Sequence, residues 1–177
     1  MNPILDMYKQ KFIEFLNSNI IDKQIEDAAK LISSHKRIFF IGNGGSNAIC
    51  SHMMEDFAKV LKYESFSFTD PALITCFSND YGYENAMVEW LKVYYKSGDI
   101  LVAISSSGNS PNIVNAVDYA NSINKNVITL SGFKNDNKLI TKGKINFYLD
   151  SNSYGIVECY HHTILHIILD IIHEKNK

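Results

Sequence analysis

Apolar residues follow two rhythms along this chain, and the change between them marks its layout. Up to about residue 34 they recur every three or four positions. Ile20, Ile21, Ile25, Ala28, Ala29 and Ile32 form one stripe, the spacing of an amphipathic helix. Residues 3–34 are therefore expected to be helical, in two pieces with a break near Asn17–Ile21. From residue 36 onward, short unbroken apolar runs alternate with helical stretches. Lys36–Ile41, Ile100–Ile104, Asn126–Leu130 and Ile145–Leu149 predict strands, with Ser65–Thr69 a further short one. Ser46–Leu61, Glu84–Tyr95, Asn112–Ser122 and Tyr154–Glu174 predict helices. Asp70-Pro71 reads as a turn and residues 79–82 (Asn, Asp, Tyr, Gly) as a loop, while Leu73–Phe77 fits strand and helix equally. Continuous apolar strands alternating with helices indicate a parallel sheet covered on both faces. The expectation is an α/β fold: a five-stranded parallel sheet flanked by helices, one domain over residues 1–177, with residues 1–34 as a helical extension packed on it. Helical mass at both ends exceeds what such a sheet needs, and the surplus is assigned to contacts between subunits.

Two of the predicted strands end alike. KRIFFIGNGGSN (36–47) and DILVAISSSGNSP (99–111) each pass from an apolar run into a small, polar, glycine-containing loop and then a helix. Backbone N–H groups and the positive end of the helix dipole converge at such a junction, which makes it an anion site. In parallel sheets, ligands bind at these strand ends. Asn43, Gly44 and the hydroxyls of Ser46, Ser105, Ser106, Ser107 and Ser110 are the candidate cradle, although Ser46 alone would read as a helix cap. Neither loop has the Lys of a P-loop or the GxGxxG dinucleotide pattern. The expected ligand is a phosphate on a molecule smaller than a nucleotide.

Bulk properties narrow the class. The chain has 177 residues, enough for one well-buried domain. A net charge of −2 without blocks of like charge argues against a nucleic-acid surface. The N-terminus lacks the pattern of a signal peptide, and no run of about 18 apolar residues predicts a membrane span. Cys50, Cys76 and Cys159 are odd in number and widely spaced. Reduced thiols in a cytoplasmic protein are expected.

Ionisable residues gather on two predicted helices. On the first, His52 and Asp56 stand one turn apart on one face, with Glu55 three residues from His52. His and carboxylate at that spacing can hold a divalent metal or form an acid–base pair, but the spacing alone fits a solvated face more often. On the last helix, Glu158, His162 and His166 share a narrow sector, flanked by His161. A lone His among Ile164, Leu165, Ile167 and Ile168 would be a core residue, and three ionisable groups on one stripe shift the reading toward a site. Zinc suits two His and two carboxylates. Asp80 reads first as a turn residue and second as a substrate contact. Tyr81, Tyr83, Tyr94, Tyr95 and Trp90 read as core or interface aromatics.

GNGGS, ISSSGNSPN and a last helix with Glu158 and His166 eight residues apart resemble the sugar isomerase (SIS) family, and most of all its phosphoheptose isomerase branch. The resemblance spans nearly the whole chain. It implies a three-layer SIS-type sandwich and a homotetramer with active sites between subunits. It implies a ketose–aldose isomerase that converts sedoheptulose 7-phosphate to D-glycero-D-manno-heptose 7-phosphate through an enediol, in heptose synthesis for surface polysaccharide. Ser46, Ser105, Ser107 and Ser110 would bind the phosphate. The branch's metal ligands fall on His52, Asp56, Glu158 and His166, and its proton-transfer pair on Asp56 and His166. Asp56 stands where the branch has Glu, Glu158 where it has Gln, Val60 where it tends to have Arg, and Gly155 where it has an acidic residue. Two other readings remain open: an isomerase of another sugar phosphate, and a non-catalytic SIS protein that binds a protein partner.

Overall fold

The computed structural model describes residues 2–35 and 37–177. Lys36, expected to open the first strand, lies outside them. Helices α1 (Pro3–Leu16) and α2 (Asn19–Ser33) come first, followed by β1 (Arg37–Ile41), α3 (Gly45–Leu61) and β2 (Glu64–Ser67). Then come α4 (Pro71–Tyr81), α5 (Tyr83–Tyr94), β3 (Ile100–Ser105), α6 (Pro111–Ile123), β4 (Val127–Gly132), β5 (Ile145–Leu149) and α7 (Tyr154–Lys175). The strands form one sheet in the order β2-β1-β3-β4-β5, and every neighbouring pair is parallel.

Alternate side chains of the three central strands feed two separate cores. Ile38 and Phe40 of β1, Ile100, Val102 and Ile104 of β3, and Ile128 and Leu130 of β4 pack with α2, α3 and α7. Phe39 and Ile41, Leu101 and Ala103, and Val127 pack with α5 and α6. That is the physical source of the unbroken apolar runs, because both faces of the sheet are covered. Phe39 and Phe40 are fully buried on opposite faces, and each removes enough apolar surface from water to contribute about 2–3 kcal/mol. Away from the loops described below, Arg37 clamps the start of β1. Its Nε donates to Asp99 at 3.0 Å, and its guanidinium also bonds Glu64 and the Tyr94 carbonyl.

The chain runs from β1 outward to β2, then crosses back to β3 on the other side of β1. The sheet therefore reverses direction between β1 and β3. Ligands in open α/β sheets bind at such a switch point, and the two polar loops leave the strands flanking it.

Residues 79–82 differ from the loop expected there. Asn79, Asp80 and Tyr81 are the last turn of α4, and Gly82 stops it at φ +79°. Asp70 Oδ1 accepts from the Ala72 and Leu73 N–H groups, Pro71 fits the first position, and Leu73, Ile74 and Phe77 pack onto the α5–α6 core. Capping and burial outweigh the turn preference of Asn and Asp. Helix α7 has the length and hydropathy of a membrane span, but half of that window is buried inside the fold. It is a core helix.

Candidate active site

Three helices meet at the switch point with open N-termini. Helices α1, α2 and α4 are each capped by a side chain, from Asn2, Ser18 and Asp70. Helices α3, α5, α6 and α7 have no side-chain cap. Residues at or just before the starts of α3, α6 and α7 share one cavity of about 210 Å³, lined by Asn43, Gly44, Gly45, Ser46, Ser105, Ser106, Ser107, Ser110, Tyr154 and Glu158. Uncapped N–H groups and a ring of hydroxyls favour an anion. The lining contains no Lys or Arg, and Glu158 is its one charged residue.

The cradle's shape comes from its glycines and asparagines. Gly44 precedes α3 at φ +54°, ψ −123°, a conformation that side chains resist. A Cβ on Gly42 would meet the Ser46 backbone at 2.7 Å, and one on Gly45 would meet the Glu158 carboxylate at 2.4 Å. Asn43 and Asn112 exchange amide hydrogen bonds of 3.0 and 2.8 Å between the two loops, and the Tyr83 hydroxyl donates to Asn43 Oδ1 at 2.8 Å. In the serine loop, Ser105 Oγ donates to Ser110 Oγ at 3.3 Å. Gly108, at φ +63°, lets the loop close against Asn137. Ser106 Oγ is buried without a hydrogen-bond partner among the described residues. A buried hydroxyl in that state favours an incoming acceptor.

The second group of predicted residues lies along the same two helices. Helices α3 and α7 pack side by side, with Gly45 beside Glu158 and His52 beside His162 and His166. His52 Nε2 lies 3.1 Å from Asp56 Oδ2, and His166 Nδ1 lies 3.8 Å from the same oxygen. Asp56 is the more sheltered partner, its side chain 19% exposed against 49% for His52. His162 Nε2 approaches His166 Nε2 at 3.1 Å. Burial, followed by the neighbouring imidazoles of His166 and His52, lowers the His162 pKa, with Asp56 opposing. His162 is therefore neutral at pH 7, as a metal ligand must be.

These donors fit a divalent metal. His52, His162 and His166 each offer one ligand atom within 4.8 Å of the others, and so do His52, Glu55 and Asp56. Nitrogen and carboxylate donors of this kind suit zinc. Of the four residues read as ligands, the structure gathers His52, Asp56 and His166. Glu158 turns toward Gly45 and the serine cavity. His161, next in sequence to His162, faces the opposite way: its ring is fully buried with Nε2 3.2 Å from the Ser131 carbonyl oxygen.

Asp80 does not line the cavity. It is exposed on the last turn of α4, where Asn79 Nδ2 donates to it at 2.9 Å. Tyr154, Asn112 and Tyr83 join the site without having been singled out as ligand-binding residues. Asn112 had a visible signal, its place directly after the serine loop. Two departures from the branch sit beside other side chains here. A Cβ on Gly155 would lie 2.4 Å from the Tyr8 hydroxyl of α1, and Val60 packs against the core.

Known proteins resemble this chain over most of its length. A family model described as the SIS domain matches residues 8–132. The phosphoheptose isomerase of Fusobacterium nucleatum is 33% identical over 154 residues, 84% of this chain and 79% of that protein. The phosphoheptose isomerase of Sodalis glossinidius is 31% identical over 176 residues, 94% of this chain and 90% of that protein. The solved structure of a phosphoheptose isomerase from Francisella tularensis superposes with a TM-score of 0.82 at 26% identity, covering 97% of this chain and 95% of that one. The chain belongs to the phosphoheptose isomerases of the SIS-domain family.

Proposed function

We propose that the protein isomerises sedoheptulose 7-phosphate to D-glycero-D-manno-heptose 7-phosphate, supplying activated heptose for surface polysaccharide. The observation that carries this is the alignment of two unlike sites along α3 and α7. An anion cradle stands at their start and a carboxylate–imidazole cluster further along. Seven residues separate Gly45 from His52, about 10 Å of helix. That suits a sugar phosphate anchored at one end and reacting at the other.

Uncapped N–H groups of α3 and α6 and the hydroxyls of Ser46, Ser105, Ser106, Ser107 and Ser110 bind the phosphate. Anchoring there turns binding energy into orientation at C1 and C2. Asp56 takes a proton from C1 of the ketose while His166 gives one to O2. The enediol then loses the O1 proton and regains a proton at C2, so the sugar changes only the position of its carbonyl. His52 and His166 are the core of the metal set, and a zinc ion held there would polarise the carbonyl.

A homotetramer is part of this proposal. It is supported by exposed Ile4, Leu5, Ile13, Leu16 and Ile20 on α1 and α2. Cytoplasmic placement is supported by three cysteines that form no disulfide. An acid–base pair in contact within one chain favours an enzyme over a partner-binding relative.

The decisive experiment incubates the purified protein with sedoheptulose 7-phosphate, with and without zinc, and follows aldose formation by NMR. Growth of the aldose signal is expected. Its absence under both conditions would sink the proposal, and turnover of a different phosphosugar alone would move the reading to another substrate.

A further inference from the structure

The imidazole of His162 has no role in the chemistry above, yet it stands inside the cluster. Its Nε2 is 3.1 Å from His166 Nε2, and its ring centre is 4.9 Å from that of His52. Two donors bound to one tetrahedral zinc at about 2.0–2.1 Å are about 3.3 Å apart. The His162–His166 pair is already close to that separation. His166 turns its other nitrogen, Nδ1, toward Asp56. A single metal takes one nitrogen of an imidazole. Bound at Nε2, it lies on the His162 side of the ring and leaves Asp56 on the far side. Glu158 is in neither group of converging donors, and its carboxylate lies against Gly45 in the serine cavity.

We propose that His162 is the third ligand of a His52–His162–His166 zinc site, and that Asp56 stays outside the coordination shell. Three imidazole ligands would leave the fourth position open to substrate oxygen, as catalytic zinc requires. Asp56, facing His166 Nδ1, orients that ring in the manner of a carboxylate behind a metal-bound histidine. It also keeps the basicity that coordination would remove, and with His166 held at both ring nitrogens, the proton transfers to oxygen given to His166 above pass to Asp56. This assignment builds on the isomerase reading for its purpose but is tested by metal binding alone.

The chelator-stripped full chain is titrated with zinc against a chromophoric chelator, together with His162→Ala and Glu158→Gln. One zinc per chain is expected for the unmodified protein. Second-sphere changes cost about 10–100-fold in affinity, so loss of a ligand in His162→Ala should cost about 100-fold or more. Glu158→Gln should change affinity by less than about tenfold, the lower end of that second-sphere range. Cobalt(II) in place of zinc should give the strong visible bands of tetrahedral coordination in the unmodified protein and Glu158→Gln, and lose them in His162→Ala. Melting curves of the metal-free proteins check folding, and His162→Gln replaces His162→Ala should the latter not fold. Unchanged affinity without His162, an equal or larger loss in Glu158→Gln, or no zinc binding at all overturns the assignment. Zinc binding that depends on His162, in a protein that turns over no heptose phosphate, would keep the site and sink the isomerase reading.

Discussion

Asp56 has two imidazoles within 4 Å of one carboxylate oxygen, a position that suits moving a proton more than filling space. A general base contributes about 10²–10⁴ in rate. Asp56→Asn should lower kcat by that factor in a steady-state assay while leaving the melting temperature nearly unchanged. Wild-type turnover in this variant would remove Asp56 from the base role. Glu158 calls for the opposite sign. Its carboxylate lines the cavity proposed for the phosphate, and two like charges about 4 Å apart repel by roughly 1 kcal/mol in water and more where water is excluded. Glu158→Gln should therefore lower KM by about fivefold or more. An unchanged or raised KM would show that the carboxylate does not oppose the phosphate. At this scale the gathering of the serines in one cavity and the histidine–carboxylate contact were legible in the sequence, because strand-end loops and i, i+4 pairs are local patterns. The position of Glu158 was not. Residues four apart on a helix drift by about 40°, so Glu158 and His166 are about 80° apart around α7. Only the neighbouring helix decides which of them meets His52.

Helix α7 presents different chemistry on its two sides, and adjacent histidines show it. His161 is buried, and burial holds its pKa down to about 4, against an ordinary value of 6.5. Between those values the unfolded chain binds a proton that the folded chain refuses. Stability is therefore full above about pH 6.5 and falls as pH drops toward 4, by about 3 kcal/mol from this residue. Denaturant midpoints measured from pH 7.5 to 4.5 should show this decline. His161→Asn, which keeps a donor for the Ser131 carbonyl, should be less stable at pH 7 but show a flatter pH profile. An equally steep profile would assign the decline to other groups. The strands were legible as elements because burial on both faces leaves unbroken apolar runs. Residues 79–82 were misread because local turn preference was visible, while the contact of α4 with α5 was not. The same limit applied to Leu73–Phe77, whose apolar run fits either class until Asp70 is seen to cap it.

Across the whole molecule, apolar side chains remain exposed where α1 leads into α2, with Ile13 58%, Leu16 67% and Ile20 75% exposed. Clustered exposure of this kind marks a surface that associates. Sedimentation analysis should find a tetramer, and Leu16→Glu should shift it toward smaller species; a monomer at all concentrations would leave that face without a partner copy. The helical surplus was legible in the sequence, but its geometry was not, because the pattern of one chain does not say what covers Ile13, Leu16 and Ile20. Helices α3 and α7 together do something neither does alone. If, as proposed, their paired start holds the phosphate and their paired middle the proton-transfer groups, the protein acts as a ruler. A phosphosugar one carbon shorter, held by the same end, presents its carbonyl about 1 Å short of the reacting groups, a misplacement that can cost about 100-fold in rate. Selectivity in this fold is then counted in carbons from the phosphate, before any hydroxyl is read.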